Sequence, residues 1–205
     1  MKIVVLCEGA TEIAFGDVLR EYLKPRLPDR MPRLSFRSEG RIIPTRERLK
    51  RIVRNLLDDR RNPADAVIAL TDVYTGTQPR LFDSAEDAKR KLREWVGDEP
   101  RFYPHVALHE FEAWLLPYWS QVQKASGSNR TSPGNDPERV NHDRPPSVRL
   151  KEIFGAAGKG RTYVKTRDAK RILDGQDLGV AIAACPELRA FVNTILTLNG
   201  STPAE

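Results

Sequence analysis

The stretch KIVVLCEGATE, residues 2–12, decides the reading of this chain. From Lys2 to Cys7 it is almost continuously apolar, the pattern of a strand covered on both faces rather than one with a wet side. Gly9 permits a tight turn. From Thr11 the apolar period lengthens, with Phe15, Val18, Leu19, Tyr22 and Leu23 at helical spacing until Pro25 closes the segment. A buried strand leading through a tight turn into a helix is the opening unit of a parallel α/β sheet.

The pattern repeats outward from there. Leu34 to Arg37 reads as a weak second strand, and Leu49, Ile52, Val53, Leu56 and Leu57 form an amphipathic stripe that ends before Asn62-Pro63. ADAVIAL, residues 64–70, is a second strongly buried strand, running into Thr71-Asp72 and a Tyr74-Thr75-Gly76 turn. Ser84 with Asp87 three residues later has the form of a capping box, Leu92, Trp95 and Val96 supply an apolar face, and Gly97 ends that helix. Phe102 to Leu108 reads as a fourth strand and His109 to Tyr118 as another helix. Alternation of this kind predicts an α/β fold with a parallel sheet of about four strands, right-handed crossovers and helices on both faces.

Beyond Tyr118 the chain changes character. Ser120 to Pro146 is rich in Ser, Asn, Asp, Gly, Pro and Arg without an apolar period, and Val148–Phe154, Lys165–Leu173 and Pro186–Leu198 read as short helices. The expected organisation is an α/β core over residues 1–119, a flexible polar loop over 120–146 and a C-terminal helical cap over 147–200 packed on the core.

Composition narrows the function classes. A chain of 205 residues with 40% hydrophobic and 30% charged residues suits a globular domain with a real core. No run of about 18 apolar residues occurs, and the N-terminus enters a strand rather than a basic, cleavable leader, which argues against a membrane span and against secretion. Two cysteines, Cys7 and Cys185, are too few for a disulfide framework or a cysteine zinc site, so a reducing cytoplasm is the expected compartment. The formal net charge is +6, carried mostly by arginine, whose planar fork suits phosphates, and nucleic acid is the expected polyanionic partner.

In a parallel α/β sheet, ligands gather where the strands end. Two buried strands end in acids here: Glu8 follows KIVVLC and Asp72 follows ADAVIALT. Were the two strands neighbours, their carboxylates would meet at one edge, and like charges so placed call for a hard divalent cation, Mg2+ or Mn2+. Glu12, in the first turn of the next helix, is a possible third oxygen ligand. Each residue also has a structural reading: a glutamate near a helix start is stabilised by the macrodipole, and an aspartate after a strand commonly starts a turn.

CEGATE resembles the Glu-Gly-x-x-Glu signature of TOPRIM domains in their overcoming-lysogenization-defect nuclease version, and LTDVY resembles the partner of the Asp-x-Asp motif. YPHVALHEFEAWLL, PPSVRLKEIF and DGQDLGVAIAACPELRAF resemble the domain of unknown function 4276 family of bacterial TOPRIM-like proteins, over nearly the whole chain. That resemblance implies a TOPRIM/Rossmann-like core, a Mg2+ or Mn2+ cofactor held by Glu8, Glu12 and Asp72, phosphodiester hydrolysis on DNA or RNA, and an AAA or SMC-like ATPase as partner. The chain departs from the motif at Tyr74, which stands where a second aspartate would; a tyrosine is no hard-cation ligand at neutral pH.

HEFEAW offers a replacement acid. His109, Glu110 and Glu112 stand where the fourth strand meets its helix, and with His109 and Glu112 three apart on one helical face they are candidates for a ligand or a proton-transfer group, Glu112 as a catalytic residue. The structural alternative makes His109 a cap, Glu110 a first-turn carboxylate and Phe111, Trp114 and Leu115 core residues. Two basic stripes are candidates for phosphate contacts: Arg46, Lys50 and Arg54 with Arg41 nearby, and Lys159, Arg161 and Lys165, where Tyr163 is placed to stack on a base. Either stripe also fits an ordinary solvated face. GAAGKGR is no phosphate-binding P-loop, lacking the glycine spacing and the Ser or Thr after its lysine. Besides a metal-dependent nuclease, two classes stay open: a catalytically degenerate module that binds nucleic acid or docks on an ATPase, and a phosphatase or nucleotidyl enzyme with a small substrate.

Overall fold

Four parallel strands in the order β2-β1-β3-β4 form the sheet: β1 is Lys2–Cys7, β2 Arg33–Ser38, β3 Ala66–Asp72 and β4 Phe102–Ala107. The computed structural model describes every residue except 41–42, 75–78, 141–143, 157, 159–160 and 205, so Arg41, Lys159 and the turn residues Thr75 and Gly76 lie outside the described residues. Helices α1 (Ala10–Leu23), α2 (Arg46–Leu57) and α3 (Ala85–Val96) make the crossovers between consecutive strands. β1 pairs with β3 in register Ile3↔Ala66 to Leu6↔Ala69, which brings the ends of the two acid-bearing strands side by side.

Side chains along the central strands point alternately to two apolar layers. Ile3, Val5, Ile68 and Leu70 pack with α1 and the C-terminal helices; Val4, Leu6, Val67 and Ala69 pack against Leu49, Val53 and Leu57 of α2 and Leu92 and Val96 of α3. Double coverage is the reason both strands are near-continuously apolar in sequence. α3 starts as expected, with the Ser84 hydroxyl accepting from the Asp87 N–H at 3.1 Å. In α1, Gly16 lies so close to β2 that a Cβ there would sit 2.9 Å from the Phe36 ring.

β4 is an edge strand containing Pro104. Val67 N–H donates to Arg101 C=O and Val73 N–H to Ala107 C=O, so the odd-numbered residues of β4 face β3. Pro104 therefore directs its missing N–H away from the sheet and costs the ladder no hydrogen bond.

Three local expectations are corrected. The segment after β4 is a 3-10 helix, Phe111–Tyr118, with Glu110 as the residue before it; His109 precedes it and shares no helical face with Glu112. The stretch 120–146 is no structureless loop: Trp119–Ser126 is helix α4, whose Val122 and Ser126 are buried, and Pro137–Arg139 is a short 3-10 turn. The indole of Trp119 and the amide of Gln123 both donate to Arg130 C=O, and buried Glu138 accepts from Trp114 Nε1 at 3.2 Å and from Glu187 N–H at 3.0 Å. Third, a helix unseen in the sequence, α7 (Leu178–Ala184), sits between α6 (Lys165–Leu173) and α8 (Pro186–Leu198).

The C-terminal helices share one core with the sheet. Leu150 and Phe154 of α5 (Pro146–Ala156), Ile172 of α6, Ile182 of α7 and Phe191 of α8 belong to the same buried cluster as Ile3, Phe15 and Trp114. Both cysteines are buried within the apolar interior; burial pushes the Cys7 thiol up to about 12. No single described helix is long and apolar enough to cross a membrane.

Candidate functional site

Above the carboxyl ends of β1 and β3 lies a cavity of about 450 Å³ lined by Glu8, Glu12, Asp72, Glu110, Glu112 and Lys165, with Tyr74 beside them. Glu8 and Asp72 arrive there because β1 and β3 are neighbours, Glu12 because α1 starts at the turn after β1, and Glu110 and Glu112 because β4 is next to β3.

Each carboxylate has fixed partners. Glu8 Oε1 accepts from the Thr71 hydroxyl and, at 3.1 Å, from Asp72 N–H. Asp72 Oδ1 accepts from Phe111 N–H at 3.0 Å, tying the end of β3 to the start of the 3-10 helix. Glu110 Oε1 accepts from Ser147 N–H at 2.7 Å in the first turn of α5, where a carboxylate also complements the helix dipole. Glu12 turns back on the start of α1, under the influence of the N–H groups of Gly9 and Glu12 itself, as the glutamate of a capping box does. The structural reading of Glu12 and Glu110 therefore holds for part of what they do.

Lys165 is the one cation lining this cavity among the described residues. Its ammonium lies 3.1 Å from Glu112 Oε1 and 3.6 Å from Glu110 Oε2. Sequence reasoning placed Lys165 on a nucleic-acid-binding face with Arg161; the structure places it inside the acidic cluster. Its neighbour Tyr163, expected to stack on a base, is buried edge-on against Phe154, the ring centroids 5.4 Å apart.

One ammonium among five carboxylates leaves a large excess of negative charge in a poorly solvated place, and protonation relieves it. Burial, reinforced by Glu12, pushes Glu8 up to about 7 against the hydrogen bonds from Thr71 and Asp72. Burial and then the charges of Glu8 and Glu112 hold Asp72 well above the usual carboxylate range. Burial likewise raises Glu112 to about 7, opposed chiefly by Lys165. Glu12 is raised by burial as well.

The donor chemistry of Glu8, Glu12 and Asp72, oxygen only and clustered, fits a hard divalent cation. Among the described residues no three His, Cys, Asp or Glu side chains are arranged to hold a metal ion. The fit is one of chemistry and not of a preformed cage, because hydrogen bonds already engage Glu8 Oε1 and Asp72 Oδ1.

The remaining predicted residues fall outside the cavity. His109 lies beside it on the bend after β4, its C=O accepting from Tyr74 N–H at 2.8 Å. Arg46, Lys50 and Arg54 run along α2, on the face of the sheet opposite α6. Arg54 lies near enough to Glu99, just before β4, to lower its pKa, so this stripe leads away from the acidic edge. Arg161 packs against the C-terminal end of α4, donating to Ser126 C=O at 3.1 Å. Thr71 was missed in the sequence; its signal is a hydroxyl inside an otherwise apolar strand, one residue before the acid.

The fold is similar to that of the C-terminal region of the Burkholderia pseudomallei OLD protein, with a TM-score of 0.56 and 16% identity over 96% of this chain and 97% of that one. The C-terminal region of the Xanthomonas campestris pv. campestris OLD protein also aligns, with a TM-score of 0.45 and 15% identity over 94% and 96% of the two chains. The first likeness is one of fold: the parallel α/β sheet with its helices is shared along nearly the whole length of both chains. No curated protein matches the chain. A family model, Domain of unknown function (DUF4276), matches residues 7–196, and with nearly the whole sequence inside that match, this chain belongs to the DUF4276 family.

Proposed function

We propose that this protein is a metal-dependent phosphodiesterase that cuts DNA or RNA, acting in the cytoplasm beside an AAA or SMC-like ATPase in bacterial defence or genome maintenance. One observation carries the hydrolytic part: Glu8, Glu12, Asp72 and Glu112 meet in a single cavity at the carboxyl edge of the sheet, with pKa values raised chiefly by burial. Such a cluster is costly to keep and is characteristic of sites that bind cations or move protons. The ATPase partnership rests on the family resemblance.

Glu8, Glu12 and Asp72 would hold Mg2+ or Mn2+. When bound, that cation supplies Lewis-acid neutralisation of the scissile phosphodiester. The chain's own groups supply the rest. Glu112, raised to about 7 by burial, can take or give a proton at a carboxyl oxygen, a role for which a pKa near the working pH is optimal. Thr71 fixes the orientation of Glu8, and the Phe111 N–H that of Asp72.

A second reading, a non-catalytic module that binds nucleic acid or docks on an ATPase, is favoured by the Lys165 ion pair and by Tyr74 in place of an acid. Calorimetric titration of Mg2+ and Mn2+ into the unmodified chain and into Glu8→Gln/Asp72→Asn, followed by assays on plasmid and RNA, separates the two. Cation binding and cleavage that disappear together in the variant support the phosphodiesterase. Negligible binding and no cleavage by the folded, unmodified chain would overturn it in favour of the module. Turnover of free nucleotides with little salt dependence would point to a small-substrate phosphatase.

A further inference from the structure

A second cavity, of about 490 Å³, opens between α4 and α6 and is lined by Lys124, Arg161, Arg167, Arg171, Phe154 and Thr162. We infer that it binds backbone phosphates of a nucleic-acid strand whose scissile bond lies at the acidic site, an inference that rests on the function proposed above.

The cavity is built and not merely basic. Asp168, wholly buried beneath it, takes Arg167 Nε at 2.9 Å on Oδ1 and Arg167 Nη2 at 2.9 Å on Oδ2, so the guanidinium is held in one plane. The same Oδ2 accepts from Val164 N–H at 2.7 Å, anchoring the start of α6. Arg161 is fixed from the other side: its Nη1 donates to Ser126 C=O at the C-terminal end of α4, where a cation also meets the helix dipole. Gly127, at φ +74, makes room for it, since a Cβ there would stand 2.8 Å from Arg161 Nη1. A side chain at this position would push the guanidinium away.

Charge points to the ligand. Asp168 offsets one cation and is 3.8 Å from Arg171, leaving three uncompensated positive charges around the cavity. Planar forks held in place suit phosphate oxygens better than mobile lysines do. The Phe154 ring forms part of the wall, and its other neighbour is Tyr163, whose phenol is raised by burial and then by the charge of Glu112. Lys165 faces the acidic cavity and Arg171 the basic one, six residues apart on α6, or about 9 Å along the helix axis.

The test compares the unmodified chain with Lys124→Gln/Arg171→Gln, whose side chains are exposed and whose loss, apart from the 3.8 Å Arg171–Asp168 ion pair, leaves the Arg167–Asp168 and Arg161–Ser126 contacts in place. Binding of a fluorescent single-stranded oligonucleotide is measured by anisotropy in EDTA over a range of salt, with thermal melting as the check on folding. Loss of two phosphate contacts lowers affinity by roughly tenfold and reduces the slope of log K against log salt by about 1.4. An unchanged slope in a folded double variant would overturn this inference and leave the nuclease reading intact. Binding without cleavage in Mg2+ overturns the hydrolytic reading and leaves the phosphate cavity standing, whereas no oligonucleotide binding by the unmodified chain overturns both.

Discussion

The Lys165 ammonium lies 3.1 Å from Oε1 and 3.2 Å from Oε2 of Glu112, a side chain only 1% exposed. A carboxylate held out of water takes its counter-charge from the first residue of a helix far along the chain. Removing one partner strands the other. Lys165→Met is expected to destabilise the metal-free chain by about 3 kcal/mol at pH 8, the lower end for a broken buried pair because the lysine itself is half exposed. Urea denaturation checks this, and adding Glu112→Gln should restore most of the loss. No recovery in the double variant would show that the ion pair is not the cause.

Stability should depend on pH in an unusual direction. Glu8 and Glu112 titrate near 7 in the folded chain and near 4.5 when unfolded. Between those values the folded state binds more protons, so stability falls as pH rises from about 4.5 to about 7 and then levels. For Glu8 the loss is on the order of 3 kcal/mol. Asp87, lowered to about 2 chiefly by Lys91, loses its stabilising effect only as pH falls below 3.8, outside this window. Urea midpoints in EDTA from pH 5 to 8 measure the trend; a flat or rising profile would contradict it.

Asp72→Asn separates fold from chemistry. The amide oxygen can still accept from Phe111 N–H, and one of several crowded charges is gone. The variant should be at least as stable as the parent above pH 7 while any phosphodiesterase activity falls by about 10² or more. A destabilised variant with activity intact would remove Asp72 from the proposed reaction.

Gly16→Ala tests the packing of α1 on β2. Alanine favours a helix by about 1 kcal/mol over glycine, but its Cβ would stand 2.9 Å from Phe36. Overpacking costs about 1–3 kcal/mol, so the net change should be destabilising, with Phe36→Leu relieving it. Thermal melting of the single and double variants provides the measurement.

Much of this architecture is legible in sequence because burial writes itself into the strands. KIVVLC and ADAVIAL are apolar on both faces since helices cover both, and the acids that end them lie at the carboxyl edge for the same reason. Other features leave weaker traces. α4 buries only Val122 and Ser126, too little for an apolar period, and α7 spans two turns, shorter than the window in which periodicity is read. Lys165 sits in a basic segment beside Arg161 and Arg167, and nothing local distinguishes it; only the packing of α6 against the 3-10 helix turns it towards Glu112. His109 and Glu112 have helical spacing in sequence, but the helix begins too late to use it.

Pro104 carries a consequence for assembly. An edge strand with free amides is a template on which a second chain can continue the sheet. In β4 the outward amide at Pro104 does not exist, and β2, at the opposite margin, carries the exposed Arg33 and Arg37. Neither margin welcomes a fifth strand. Copies of this protein, or a partner, are therefore expected to meet it through helices and loops, leaving the sheet a closed, four-stranded unit.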